Sequence, residues 1–175
     1  MKNLETELQP FTGTWPPVIM AIDPGIGNTG YAVIRGEEIL DMGTSIPNFG
    51  SVLKRIDVHC DLIDRLIIEH NPHYIVIEGW EWHGKVTRVQ LITPMLIGAF
   101  LPLGMKYGKQ IHIVYASKWG AQLTGYNHHG KDAIGRAITY RLGGNYDDHT
   151  DHAIDALGMA IVTFDDLLIM KRGSG

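Results

Sequence analysis

The apolar residues of this chain fall into short runs of two different periods. Val18–Asp23 is a nearly unbroken run rich in β-branched residues, which marks a buried strand ending on one carboxylate. Pro24 and Gly25 break it, and Gly27, Asn28 and Gly30 are suited to supply positive φ in the turn that follows. Tyr31–Arg35 and Ile39–Thr44 read as two further strands about Gly36, giving an antiparallel meander. The period then changes. Val52, Leu53, Ile56, Leu62, Ile63, Leu66 and Ile67 recur every three or four residues, with Lys54, Arg55, Asp57, Asp61 and Asp64 largely opposite. This predicts an amphipathic helix over Ser51–His70, capped by Ser51 and ended by Asn71-Pro72. Tyr74–Glu78 is a second apolar strand that ends on a carboxylate.

The second half follows the same logic. Val89–Met105 is the most apolar stretch, but it is shorter than the ~20 residues of a membrane span and carries Gln90, Pro94 and Pro102. It predicts a buried helix starting near Thr93–Pro94, with proline in its first turn, and a candidate dimer face. Ile111–Tyr115 reads as a strand, Ser117–Leu123 as a short helix, and Lys131–Leu142 as a helix closed by Gly143-Gly144. The last helix is predicted over Thr150–Ile169. Residues 1–17, with Pro10, Pro16 and Pro17 and no period, are expected to form an N-terminal extension to one domain over 18–170.

Composition narrows this picture in two ways. The single cysteine, Cys60, excludes an internal disulfide framework and fits a reducing compartment. Because the start also lacks a secretory pattern, a cytoplasmic protein with no membrane partner is expected. The formal net charge of −4 argues against a polyanionic partner, yet the charge is unevenly spread. Trp82 through Lys131 contains no acid, while Lys85, Arg88, Lys106, Lys109, Lys118 and Lys131 lie there. A polyanion responds to that local potential.

The candidate chemistry lies in the acids. Asp23 and Glu78 end two strands that point at one edge of a sheet. On the last helix His152 and Asp155 are three apart, and Asp151 and Asp155 are four apart, so each pair stacks on one face. Converging carboxylates repel and persist only with bound cations or raised pKa values. Oxygen-rich donors favour Mg²⁺ or Mn²⁺ over zinc, and two such ions about 4 Å apart suit phosphodiester hydrolysis. Gly25, Gly27 and Gly30 also match G-x-G-x-x-G, but Tyr31–Ile34 continues as a strand, which excludes the dinucleotide-binding reading. His128 and His129 read as loop residues rather than ligands.

Three segments, AIDPGIGNTGYAVI, YIVIE and HAIDALGMA, occur in the order and with the separations of RuvC-type Holliday junction resolvases of the ribonuclease H-like superfamily, which this chain resembles. The resemblance implies an α/β fold of the ribonuclease H-like kind, a five-stranded mixed sheet with helices on both faces. It implies catalytic, metal-binding roles for Asp23, Glu78 and Asp155, with His152 at a position that is Asp or His in the family and Asp151 as an additional ligand. It also implies two Mg²⁺ or Mn²⁺ ions per site, and a homodimer that cuts two strands of a four-way DNA junction symmetrically. Trp80, Trp82, Lys85, Arg88, Lys118, Lys131 and Arg136 are the expected DNA contacts, the tryptophans by stacking on opened bases. The chain departs from the family at Ala116 and Gly120, where Pro and Lys are common, and at Trp80 and Trp82, which bracket the family's junction-opening aromatic without matching it. The alternatives are a broader branch or flap endonuclease, a silent junction-binding module, and a phosphate-binding ATPase or kinase module built on a similar hairpin. This chain is too short for the second lobe which the last would need.

Overall fold

The computed structural model describes residues 6–47, 50–81, 88–126 and 130–173, without the side chains of 88–90 and 131. Five strands, β1 (Val18–Asp23), β2 (Thr29–Arg35), β3 (Glu38–Ser45), β4 (Tyr74–Glu78) and β5 (Gln110–Val114), form one sheet in the order β3-β2-β1-β4-β5. The meander β1–β2–β3 is antiparallel, whereas β4 joins β1, and β5 joins β4, in parallel. The helices are α1 (Val52–His70), α2 (Arg88–Lys106), α3 (Ala116–Thr124), α4 (Lys131–Leu142) and α5 (Asp151–Gly173).

β1 lies at the centre and is buried at all six positions. Its unbroken apolar run follows from cover on both faces, since a strand with one wet face would alternate. Ile19 and Ala21, with Ala32, Ile34, Tyr74 and Val76, face a core shared with α3, α4 and α5. Val18, Met20 and Ile22, with Val33, Ile75 and Ile77, face the opposite core, closed by Ile63, Leu66 and Ile67 of α1 and Leu96, Ile97 and Phe100 of α2. The mixed sheet with helices on both faces is therefore as expected. α5 comes closest to the sheet through Ala153, Ala156 and Ala160, all fully buried, because small side chains shorten the helix-to-sheet distance.

Ser51 caps α1 as predicted, its hydroxyl accepting from the Lys54 N–H at 3.5 Å. Other expectations need correction. α2 begins at Arg88, so Pro94 and Pro102 lie inside the helix rather than Pro94 in its first turn. Both prolines are exposed, as is Gly98, whose carbonyl loses its helical partner to Pro102. Water can serve a carbonyl freed on the outer face, and the buried Leu96, Ile97 and Phe100 hold the inner face in place. α5 runs on to Gly173, past the expected end at Ile169. Gly27, Asn28 and Gly30 do not adopt positive φ; Gly30 instead lies within β2.

Residues 6–17 lie along the domain. The Thr6 hydroxyl donates to the Ile111 carbonyl and accepts from the Ile113 N–H, both at 3.0 Å, on the outer edge of β5. The Tyr74 hydroxyl donates to the Gln9 carbonyl at 2.8 Å, Leu8 is buried, and Phe11 and Trp15 pack against the α5-side core.

His59 of α1 is fully buried between two segments of the meander. Its Nε2–H donates to the Ile26 carbonyl at 3.3 Å, and its Nδ1 hydrogen-bonds the Ser45 hydroxyl at 2.9 Å, accepting from it in the neutral ring that burial favours. Burial lowers its pKa, with the neighbouring Arg55 charge acting the same way against the opposing Ile26 contact. An unfolded His59 takes up a proton at a higher pH than the folded one, so its contribution is complete above about pH 6.5 and is lost as pH falls toward the lowered folded value. Thermal unfolding of wild type and His59→Gln from pH 7.5 to 5.5 tests this. The difference in midpoint should shift in favour of the variant as pH falls; parallel curves would exclude His59 as the titrating group.

Candidate active site

The sheet's register brings the first two acids together. Ile22 and Ile77 are partners in the parallel β1–β4 pair, and the next residues are Asp23 and Glu78. Side chains alternate along a strand, so Asp23 continues the Ile19–Ala21 series and Glu78 the Tyr74–Val76 series, on the face covered by α5. Asp23 is only 6% exposed, and Glu78 is partly buried.

The start of α5 descends onto this face at one level of the meander, where Asp23 pairs with Gly30 and Gly30 with Thr44. The Thr44 and Thr150 hydroxyls hydrogen-bond each other, and Thr150 Oγ1 accepts from the Ala153 N–H at 3.3 Å. A Cβ on Gly30 would overlap the backbone of His152 and Ala153. Gly30 therefore serves the approach of α5 and not the turn assigned to it from sequence. This approach sets His152 Nδ1 2.5 Å from Asp23 Oδ2.

Glu78 joins the group from the other side. Its Oε1 accepts from the Trp119 Nε1–H at 3.0 Å, and its carboxyl lies in the field of Asp23 and, more weakly, of Asp155. Two carboxyls this near in a buried site are relieved when one keeps its proton. Burial first, then the Asp23 charge, push the Glu78 pKa up to about 9; Asp155 adds to the rise, and the Trp119 N–H opposes it.

Among the described residues no group of three or more His, Cys, Asp or Glu side chains is placed so that it could hold a metal ion as it stands. The donor chemistry nevertheless fits a hard divalent cation. Three carboxyls from β1, β4 and α5 and one imidazole meet at a sheet edge, and Asp23 and Glu78 are bonded to partners that a cation would replace. Asp151, the first residue of α5, is exposed and lies one position before His152.

The expected DNA contacts are more scattered. Trp80 packs against the core between the sheet, α1 and α2, so here its ring is turned into the fold. Lys118 is exposed on α3, at the rim of a cavity it shares with Thr6, His112 and Asp166. Arg136 is exposed on α4 in a groove with Asp165, ten residues and about 15 Å along α5 from Asp155. Trp82 and Lys85 lie outside the described residues, as do His128 and His129 and the side chains of Arg88 and Lys131. Sequence reasoning passed over Trp119 and the Thr44–Thr150 pair. The one clue to Trp119 is its place just after β5, the neighbour of β4, where α3 opens at the same edge.

The sequence model of the family described as "Crossover junction endodeoxyribonuclease RuvC" matches residues 19–163. Similar curated proteins carry that same description in Protochlamydia amoebophila and Alkaliphilus oremlandii. Each is 26% identical over 149 residues, covering 82% of this chain and 88% and 90% of the relative. The fold is similar to that of T. thermophilus RuvC in complex with a Holliday junction substrate, with TM-score 0.78 and 18% identity, over 87% of this chain and 96% of that one.

The raised Glu78 pKa has a consequence for the metal-free protein. Between about pH 4.5 and 9 the folded chain binds a proton that the unfolded chain has released, so this contribution to stability falls as pH rises. Glu78→Gln removes that slope. In EDTA the variant should melt above wild type, by a margin that widens from pH 5 to 9. Equal or lower midpoints across the range would refute the buried-proton assignment.

Proposed function

The chain belongs to the RuvC family of crossover junction endodeoxyribonucleases, and we propose that Asp23, Glu78, Asp155 and His152 are the residues with which it cuts DNA. The observation that carries this reading is the convergence of acids from β1, β4 and α5 at one edge, with His152 bonded to Asp23. The substrate is a four-way junction, nicked symmetrically in two strands by phosphodiester hydrolysis.

Asp23, Glu78 and Asp155 would hold Mg²⁺ or Mn²⁺, two ions per site, with His152 or the exposed Asp151 completing the set. A divalent cation bound there supplies the acidity that makes water a nucleophile and the charge that the leaving 3′ oxygen needs. Asp23 orients His152, which would act on the scissile phosphate or the attacking water. The buried side of the cluster, backed by Ala21, Val76 and Trp119 of the same core, keeps bulk water from screening these charges. Lys85, Arg88, Lys118 and Lys131 are the phosphate contacts of this reading, with Trp82 beside them. Trp80, packed inward, and Arg136, distant along α5, are less well placed for the cleavage site.

Symmetric cutting calls for two copies. The outer face of α2 exposes Leu91 (61%), Met95 (53%) and Met105 (71%), with the exposed Pro94, Gly98 and Pro102 between them. This stripe carries no charge and lies on the face turned away from the chain's own core, which supports a homodimer built through α2. No helix among the described residues is long and apolar enough to cross a membrane. A DNA substrate places the enzyme in the cytoplasm, with residues 18–170 as the nuclease domain and 1–17 as its extension.

Two experiments test this. Asp23→Asn, Glu78→Gln and Asp155→Asn should each lower junction nicking in Mg²⁺ at least about 100-fold while junction binding survives. Parallel assays on flaps and duplex would reveal a broader specificity, and full cleavage by Asp23→Asn would remove Asp23 from the chemistry. Met95→Glu should shift the sedimentation coefficient from dimer to monomer and turn paired nicks into single ones. An unchanged dimer would place the interface elsewhere.

A further inference from the structure

We propose that Trp119 is a positioning residue that fixes Glu78 and sets its spacing from Asp155. The inference rests on the reading of the acidic cluster given above and extends it to a residue that bears no charge. Trp119 is 3% exposed, and its Nε1–H donates to Glu78 Oε1 at 3.0 Å. The rest of the ring is wedged against α5. A Cβ on Gly158 would lie 2.9 Å from its Cζ3, closer than real Cβ atoms come, so the absence of a side chain at Gly158 defines the ring's seat. Gly158 is three residues beyond Asp155, one turn along the same helix.

One rigid side chain therefore touches both halves of the site. Its N–H holds the strand acid, while its six-membered ring spaces the helix that carries the other. The backbone of Glu78 is fixed independently. The next residue, Gly79, donates its N–H to the Val114 carbonyl at 2.6 Å, and a Cβ there would meet the Tyr115 ring at 2.7 Å. With the main chain held by β5, the orientation of the Glu78 carboxyl is left to its side-chain partners. Trp119 supplies a directional N–H that neither ionises nor leaves. Partners of this kind, one bond removed from the ion, are worth about 10–100-fold in metal affinity.

The test uses full-length protein and Mn²⁺ alone, without DNA, titrated by calorimetry. Trp119→Phe keeps most of the ring's volume and deletes the donor. It should bind Mn²⁺ about 10-fold more weakly with little change in melting midpoint, and nicking should recover as Mg²⁺ is raised. Trp119→His, which restores a ring N–H, should regain part of the affinity. Gly158→Ala, which displaces the ring without touching Trp119, should weaken Mn²⁺ binding in the same direction and serves if Trp119→Phe does not fold. Wild-type affinity in either folded variant would overturn the role of Trp119. Wild-type protein and Asp23→Asn run beside them separate the two levels of inference. If wild type takes up no Mn²⁺, or Asp23→Asn takes it up equally well, the metal reading itself fails and this proposal with it. If wild type binds, Asp23→Asn does not and Trp119→Phe matches wild type, Trp119 alone is misassigned.

Discussion

The site depends on how closely α5 can approach β2. Gly30 has no Cβ, and the backbone of His152 occupies the space one would fill. Ala153, Ala156 and Ala160 extend the same shallow contact along the helix. Moving the helix outward by the size of one methyl group would separate His152 from Asp23 and Asp155 from Glu78, while the remainder of the core could still pack. Protein interiors are too dense to absorb such a shift without rearrangement. The geometry of the acids is therefore a packing result before it is an electrostatic one.

Once assembled, the cluster works against the stability of the chain that builds it. Asp23 and Glu78 are drawn from water, and burial beside the Asp23 charge makes Glu78 keep a proton that a free glutamate would not keep at neutral pH. Neutral donors offset part of this strain. Trp119 contributes an N–H, and His152 a ring nitrogen. Farther along α5 an acid is met directly by a cation, in the paired Arg141–Asp165 contacts.

Most of the architecture was legible because burial on both faces leaves a strong pattern. The continuous runs Val18–Asp23 and Tyr74–Glu78 are both strands, with the boundaries read from sequence, and Ser51 does cap α1. The acids could be read as a group because each ends a strand or sits at helical spacing. What could not be read was set by contacts distant in sequence. Gly30 resembles a turn glycine in any local window, and its real constraint comes from His152, more than a hundred residues later. Pro94 suggested a helix start, and the helix continues because its inner face is buried and both prolines face outward. Trp119 has no spacing signature at all, since it sits on α3 and its partner Glu78 ends β4, 41 residues earlier.

The first described residues, laid along β5, change how the sheet can associate. An uncovered edge strand offers a row of N–H and C=O groups on which another chain can polymerise. Thr6 engages the outward carbonyl of Ile111 and the outward N–H of Ile113, leaving β3 as the other margin. That margin carries Glu38 and Asp41, and the β2–β3 ladder slips register between Val33 and Ile34, both of which discourage an incoming strand. Lateral growth is thus blunted at both margins of the sheet, so its open backbone groups do not invite a neighbouring copy to add a strand.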